Sequence, residues 1–276
     1  MITQFENGFI TKGKLNELVD GINANAEDIS GLSSDLSNLI IEINAKVLTA
    51  NISKTVGIGG DFTTLTEALE WCKLLNNNGY IVTLKILTGY IFNTQISLLN
   101  ANLSFVIIEA NIYTDEFNCT LNSGTLLTLT NAEIGSMRIK INGTNTCAGL
   151  KLNTNSKLTF DRSLQSINRV YSGMKNFLYY QIEDNSSLRI YTCDFSNTSV
   201  GGGFACLGSK LEIFNTSLSY ANLLNSSNGT ITSSEFRLGG NGLSVNNGSI
   251  ARVGSNTNET LSQTANTITA NGIIFK

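Results

Sequence analysis

Apolar positions follow two different rhythms along this chain. From Leu15 they recur at alternating spacings of three and four, through Leu15, Leu18, Ile22, Asn25, Ile29, Leu32, Leu36, Leu39 and Ile43. A heptad seam sustained over about four repeats predicts a coiled coil rather than one amphipathic helix laid on a core. Thr11 is placed to cap it. Gly21 and Gly31 each cost about 1 kcal/mol relative to Ala in a helix interior, so the helix is expected to draw its stability from association. Val19, Ala26, Ile40 and Val47 widen the seam at e positions, which suits a bundle of three or more, and Asn25 at a d position fixes register at some cost in stability. The spacing also leaves open a two-stranded coil and a two-helix hairpin bending at Gly31.

The second rhythm is that of short strands. The stretch YIVTLKILTGYIFNTQISLLNANLSFVIIEA predicts successive strands with turns near Gly89 and Asn100–Asn102. Further on, the segments NSKLTF (155–160), NSSLRIYTCDF (185–195), GSKLEIFNTSL (208–218), NGTITSSEF (228–236) and NGSIARV (247–253) superpose as a polar turn followed by an alternating strand. Leu158 to Leu188 is 30 residues, Leu188 to Leu211 is 23, and Ile231 to Ile250 is 19. Uneven periods near twenty, with strands and no intervening helices, predict a parallel β-helix with stacked coils of about three strands each. Leu158, Phe160, Leu188, Ile190, Leu211 and Ile213 then point inward, while Lys157, Arg189 and Glu212 face out. SVGGGF (199–204) and the segment from Tyr171 to Tyr180 are expected as surface loops or walls. An antiparallel sandwich is the alternative reading of many short strands.

Between the two regimes lies KTVGIGGDFTTLTEALEWCKLL (54–75). Thr64 and Glu67 form a capping-box pair, and Leu65, Ala68, Leu69, Cys72 and Leu75 make one apolar face, ended by Asn76-Asn77-Asn78-Gly79. This helix is expected over 61–75, covering the open end of the stacked sheets. The predicted organisation is residues 1–10 as an anchoring segment, 11–53 as the coiled-coil helix and 54–276 as the β domain.

A net charge of −3 offers no basic field for nucleic acid or an anionic membrane. No apolar run is long enough to span a bilayer, and MITQFENGFITKGK lacks the apolar core of a secretion signal, so synthesis in a cytoplasm and no membrane insertion are expected. The 5 cysteines include no C-x-x-C pair and read as buried free thiols. Absence of His removes Ser-His-Asp and Cys-His catalysis and His-ligated metals. No cofactor and no metal site are expected.

The order of segments, with Gly-Gly-Asp-Phe-x-Thr-Leu-x-Glu-Ala-Leu at 59–69, the strand pattern VTLKILTGYIFNTQISL and the closing SQTANTITANGIIFK (262–276), resembles the tail-fibre and tailspike proteins of bacteriophages. Those proteins belong to the pectate-lyase-like right-handed β-helix superfamily. The resemblance covers most of the chain, most specifically 56–110. It implies a homotrimer in the tail of a virion, an N-terminal end fixed to a tail or baseplate protein, and a β-helix that meets host-surface polysaccharide. Polysaccharide-degrading members are commonly longer.

Glycan-cleaving relatives carry Asp and Glu on the β-helix face, and a glycosidase needs two carboxylates about 5–5.5 Å or about 6.5–9.5 Å apart. In the superposed repeats Asp194, Ser217 and Glu235 are equivalent, which makes Asp194 and Glu235 the catalytic candidates at about 10 Å, two strand spacings. A lyase would instead pair a base with carboxylates, as in Asp161-Arg162 or Asp194 with Arg189. Tyr171, Tyr179, Tyr180, Tyr191 and Tyr220 are candidates to stack on sugar rings. The favoured expectation is a structural and receptor-binding tail component; a depolymerase and a purely structural adaptor are the alternatives.

Overall fold

The computed structural model describes residues 12–161, 172–191, 193–195 and 203–214, and beyond them 217–218, 220–224, 227–232, 235–236, 242–245, 247–253, 267–268, 271 and 273–275; side chains are left aside for 42–45 and for most of the pieces after 214. The expected cap Thr11 and the segment 1–10 lie outside the described residues. The chain divides into two compact units, Met1–Leu48 and Thr49–Lys276.

Among its described residues the first unit holds one helix, α1 (Lys12–Ala45), 34 residues long. It runs unbroken through Gly31, so a hairpin bending there is ruled out; nothing within 4 Å of either Gly21 or Gly31 would meet an added Cβ. The heptad positions are exposed: Leu18 at 60%, Ile22 at 58%, Ile29 at 66% and Leu32 at 69%, with Leu15, Val19, Leu36, Leu39 and Ile40 also exposed. No helix among the described residues is long and apolar enough to cross a membrane.

The second unit is mainly β, and among the described residues every strand pairing is parallel, which excludes the antiparallel sandwich. A ten-stranded sheet runs through Ile52–Val56, Val82–Ile86, Asn102–Ala110, Glu133–Arg138, Lys157–Asp161, Ser187–Tyr191, Lys210–Phe214, Asn228–Thr232, Ile250–Val253 and Ile273–Phe275. An eight-stranded sheet holds Ile96–Leu99, Thr125–Thr130, Ala148–Asn153, Tyr180–Glu183, Phe204–Leu207, Tyr220–Leu224, Gly242–Val245 and Thr267–Ile268. A four-stranded sheet (Ile91–Phe92, Glu116–Cys119, Lys140–Asn142, Gly173–Lys175) and a three-stranded one (Asp194–Phe195, Ser217–Leu218, Glu235–Phe236) follow one another through a bridge between Ser172 and Cys193. From Val82 to Val253 the described strands fall in the ten-stranded, a short and the eight-stranded sheet in turn, a topology compatible with a β-helix-like fold. The strand Ile52–Val56, whose first two residues the sequence reading placed with the helix, already belongs to the ten-stranded sheet.

Strand alternation explains the core. Leu84, Ile108, Met137, Phe160, Ile190 and Ile213 lie in register and are buried. Leu98, Leu129, Leu152, Ile182 and Cys206 form the matching column of the eight-stranded sheet. Lys157 and Arg189 face out, and Glu212 beside them bonds Lys210 at 2.8 Å.

Register is held at the corner entering the ten-stranded sheet. Ala101, Ala132, Ser156, Ser186, Ser209, Ser227 and Ser249 are buried there in succession. The N–H groups of Ala132, Ser156, Ser186, Ser209 and Ser227 donate in turn to the hydroxyls of Ser156, Ser186, Ser209, Ser227 and Ser249, at 3.1, 3.1, 3.2, 3.4 and 3.1 Å. Just before them Asn100, Asn131, Asn155 and Asn185 adopt φ near 49°, 48°, 58° and 61°, a left-handed conformation that Asn tolerates better than most residues. The Asn131 amide donates to Asn100 at 2.9 Å and that of Asn185 to Asn155 at 2.8 Å. These small buried residues correct one alignment. Asn228 pairs with Ile250 and Ile231 with Val253, so the NGT and NGS segments are offset by three residues; Ser227 and Ser249, not the Asn-Gly pairs, occupy equivalent places.

The junction folds as a tight connection. Asp61 accepts from the Lys54 ammonium, the Thr55 N–H and the Thr55 hydroxyl, each at 2.8 Å. Gly60 approaches the Thr55 carbonyl so closely that a Cβ would lie 2.9 Å from its oxygen. Helix α2 (Leu65–Lys73) follows with the capping box of Thr64 and Glu67 formed. It is shorter than expected because Asp61–Thr64 are used by the turn and the cap, and Leu74 closes the C-terminus. Its buried face, Leu65, Ala68, Leu69 and Cys72, packs against the strands Val82–Ile86, Ile96–Leu99 and Asn102–Ala110. All five cysteines are buried free thiols.

Ser156→Ala removes the acceptor of the buried Ala132 N–H and is expected to cost about 1–3 kcal/mol, read as a shift in the denaturation midpoint at unchanged slope. The Lys54 side-chain bond, followed by the bonds from Thr55, holds the Asp61 carboxyl well below the ordinary carboxylate range. A depressed folded-state pKa contributes stability above the unfolded value and loses it as pH falls from about 4. The difference in melting temperature between the native chain and Asp61→Asn should therefore be largest above pH 5 and shrink toward pH 2; a difference that grows on acidification would contradict this role.

Candidate functional site

One register position of the short sheets runs from the four-stranded to the three-stranded sheet. Glu116 pairs with Lys140 and Lys140 with Gly173; the Ser172–Cys193 bridge sets Gly173 beside Asp194, which pairs with Ser217, and Ser217 with Glu235. Asp194, Ser217 and Glu235 thus share a register position, as the superposed repeats predict. Asp194 and Glu235 are two strands apart, about 10 Å along the stack.

Gly173 interrupts this column. Its N–H donates to the Ile139 carbonyl and its neighbour Ser172 accepts from the Asp194 N–H, both at 2.8 Å. The second of these bonds holds the Asp194 backbone so close that a Cβ on Gly173 would lie 2.2 Å from the Asp194 carbonyl oxygen, and the φ of +141° also favours glycine. The missing side chain leaves a cleft of about 80 Å³ lined by Glu116, Lys140, Ile141, Ser172, Gly173, Lys175 and Asp194. The Lys175 ammonium lies 3.0 Å from Glu116 Oε1 and 3.2 Å from Oε2.

Beneath the cleft the interior is aromatic. Phe195, next to Asp194, packs edge-on to Phe160 at 5.1 Å and to Tyr180 at 5.2 Å, and Tyr180 stacks on Phe204 at 4.7 Å. Tyr180 is fully buried and its hydroxyl donates to the Met174 carbonyl at 2.5 Å. It is a core residue, not a sugar-stacking one, and the 171–180 segment contributes the strand Gly173–Lys175 rather than only a loop. Burial, reinforced by the Asp194 charge, raises the Tyr180 pKa well above its ordinary value. Burial likewise pushes the Cys193 thiol up to about 12, so this neighbour of Asp194 stays protonated and is no nucleophile.

The remaining candidates are dispersed. Tyr179 is exposed where the chain enters the eight-stranded sheet. Tyr191 is exposed on the ten-stranded sheet, 5.8 Å from Phe214, beside Arg189, whose guanidinium lies 5.6 Å from the Phe214 ring centre. Tyr171 and Arg162 lie outside the described residues, as does the side chain of Tyr220. Arg189 sits on a different sheet from Asp194 and bonds toward Glu212 at 3.8 Å, so the Asp194–Arg189 pairing considered for a lyase does not form. Glu116, Lys140 and Lys175 were not singled out from the sequence; they come from three separate coils, and no local motif marks them.

None of the protein families, curated proteins or solved structures compared with the chain matches it.

Gly173→Ala should destabilise the β unit by about 1–3 kcal/mol, the cost of overpacking against a fixed backbone, and should do so without altering α1. Equal stability of variant and native chain in denaturant would show that the Asp194 backbone is free to retreat.

Proposed function

We propose that this chain is a structural and host-receptor-binding component of a bacteriophage tail, a tail-fibre or tailspike protein. In this reading the β unit is a right-handed parallel β-helix and α1 a coiled coil that joins three chains. The N-terminal region attaches to a tail or baseplate protein, and the β unit recognises bacterial surface polysaccharide in the finished virion after synthesis in the host cytoplasm. The observation that carries it is the joining of a 34-residue helix with an exposed heptad seam to a stack of strands whose described pairings are all parallel. Burying one Leu or Ile contributes about 1.5–3 kcal/mol, so the 7 exposed Leu and Ile of the seam supply a strong drive to associate, and the apolar e positions favour three strands over two.

A depolymerase is the second reading, favoured by the shared register of Asp194, Ser217 and Glu235. The test is incubation of the purified protein with capsular polysaccharide or lipopolysaccharide from candidate hosts, following bound protein together with newly released reducing or unsaturated ends. Binding by a three-chain particle, without new ends, is the expected outcome. Release of ends would make the protein a depolymerase and Asp194 and Glu235 the first residues to replace; neither binding nor release would leave a purely structural adaptor.

A further inference from the structure

Of the two lysines lining the cleft at Gly173, Lys175 is neutralised by Glu116 at 3.0 Å. Lys140 has no ion pair among the described residues. The two neighbours of the gap are therefore a cation without a counter-ion, Lys140, and the carboxylate Asp194, about two strand spacings or 10 Å apart with no side chain between them. The space of about 80 Å³ corresponds to roughly two to three water molecules. That is room for one substituent of a sugar rather than for a whole ring.

Resting on the receptor-binding reading above, we infer that this cleft selects an acidic saccharide, taking the carboxylate of a uronic acid residue against the Lys140 ammonium while Asp194 accepts a hydrogen bond from a ring hydroxyl. A neutral sugar offers Lys140 only hydroxyl acceptors, which are weaker partners for an ammonium than a carboxylate is. Gly173 is the residue that opens the site: any side chain there would stand between the two charged groups.

The test is titration calorimetry of the full chain with an oligoglucuronate and with its carboxyl-reduced, neutral counterpart, for the native protein and for Lys140→Gln. Lys151→Gln, on the eight-stranded sheet, serves as the control for lost charge. The acidic oligosaccharide should bind more tightly than the neutral one, weaken with added salt, and lose about tenfold or more in affinity in Lys140→Gln, the worth of one charge-assisted hydrogen bond, but not in Lys151→Gln. Equal affinity for the two oligosaccharides, or an unchanged affinity in Lys140→Gln, overturns the inference. Failure of the native protein to bind either probe also overturns it; adsorption to host polysaccharide in that same case leaves the receptor-binding reading standing.

Discussion

Parallel stacking exposes the backbone N–H and C=O groups of each coil to the next, and those groups are satisfied only if successive coils meet in one register. A slip by a single residue would turn every inward side chain outward. The corner of small buried residues answers this constraint. Each serine there passes its hydroxyl to the N–H of the coil before it, so the ladder extends around a bend where strand pairing alone would stop. A larger side chain would not fit the corner, and an apolar one would strand a buried donor. The inward columns of Leu, Ile and Phe follow from that registration.

The candidate site is likewise a product of stacking. Glu116, Lys140, Gly173 and Asp194 come from four coils, and what unites them is one position on one face. The geometry that aligns them also explains the gap: the bond from the Asp194 N–H to the Ser172 carbonyl holds the Asp194 backbone against Gly173, and glycine is what that approach permits. Directly below, the packed rings of Phe160, Tyr180, Phe195 and Phe204 give the outer face a stiff support. Rigid backing lowers the ordering cost that a ligand would otherwise incur.

Much of this was legible along the chain because local rules and the fold agree. Heptad spacing marks α1; Thr64 and Glu67 mark the start of α2; Leu158, Leu188 and Leu211 keep their order and spacing in the stack. Legibility fails where the signal is not local. Asn-Gly pairs are conspicuous, yet Asn228 and Asn247 are not equivalent, because the register belongs to an inconspicuous serine whose burial no single segment discloses. Tyr180 looks like its exposed neighbour Tyr179 in sequence; strand parity sends one into the core and the other out. The Lys140–Asp194 cleft depends on residues 54 positions apart in the chain, and a glycine between strands carries no label of what it makes room for.

The uneven coil lengths separate upkeep of the stack from whatever is displayed on it. Leu211 and its partner Gly229 are only 18 residues apart, whereas Leu158 and Leu188, equally well registered, are 30 apart. The shorter figure is enough to complete a turn of the chain, so the surplus in the longer coil answers to no demand of the scaffold. Such surplus can lengthen, shorten or change its chemistry over evolutionary time while the ladder above and below it stays intact.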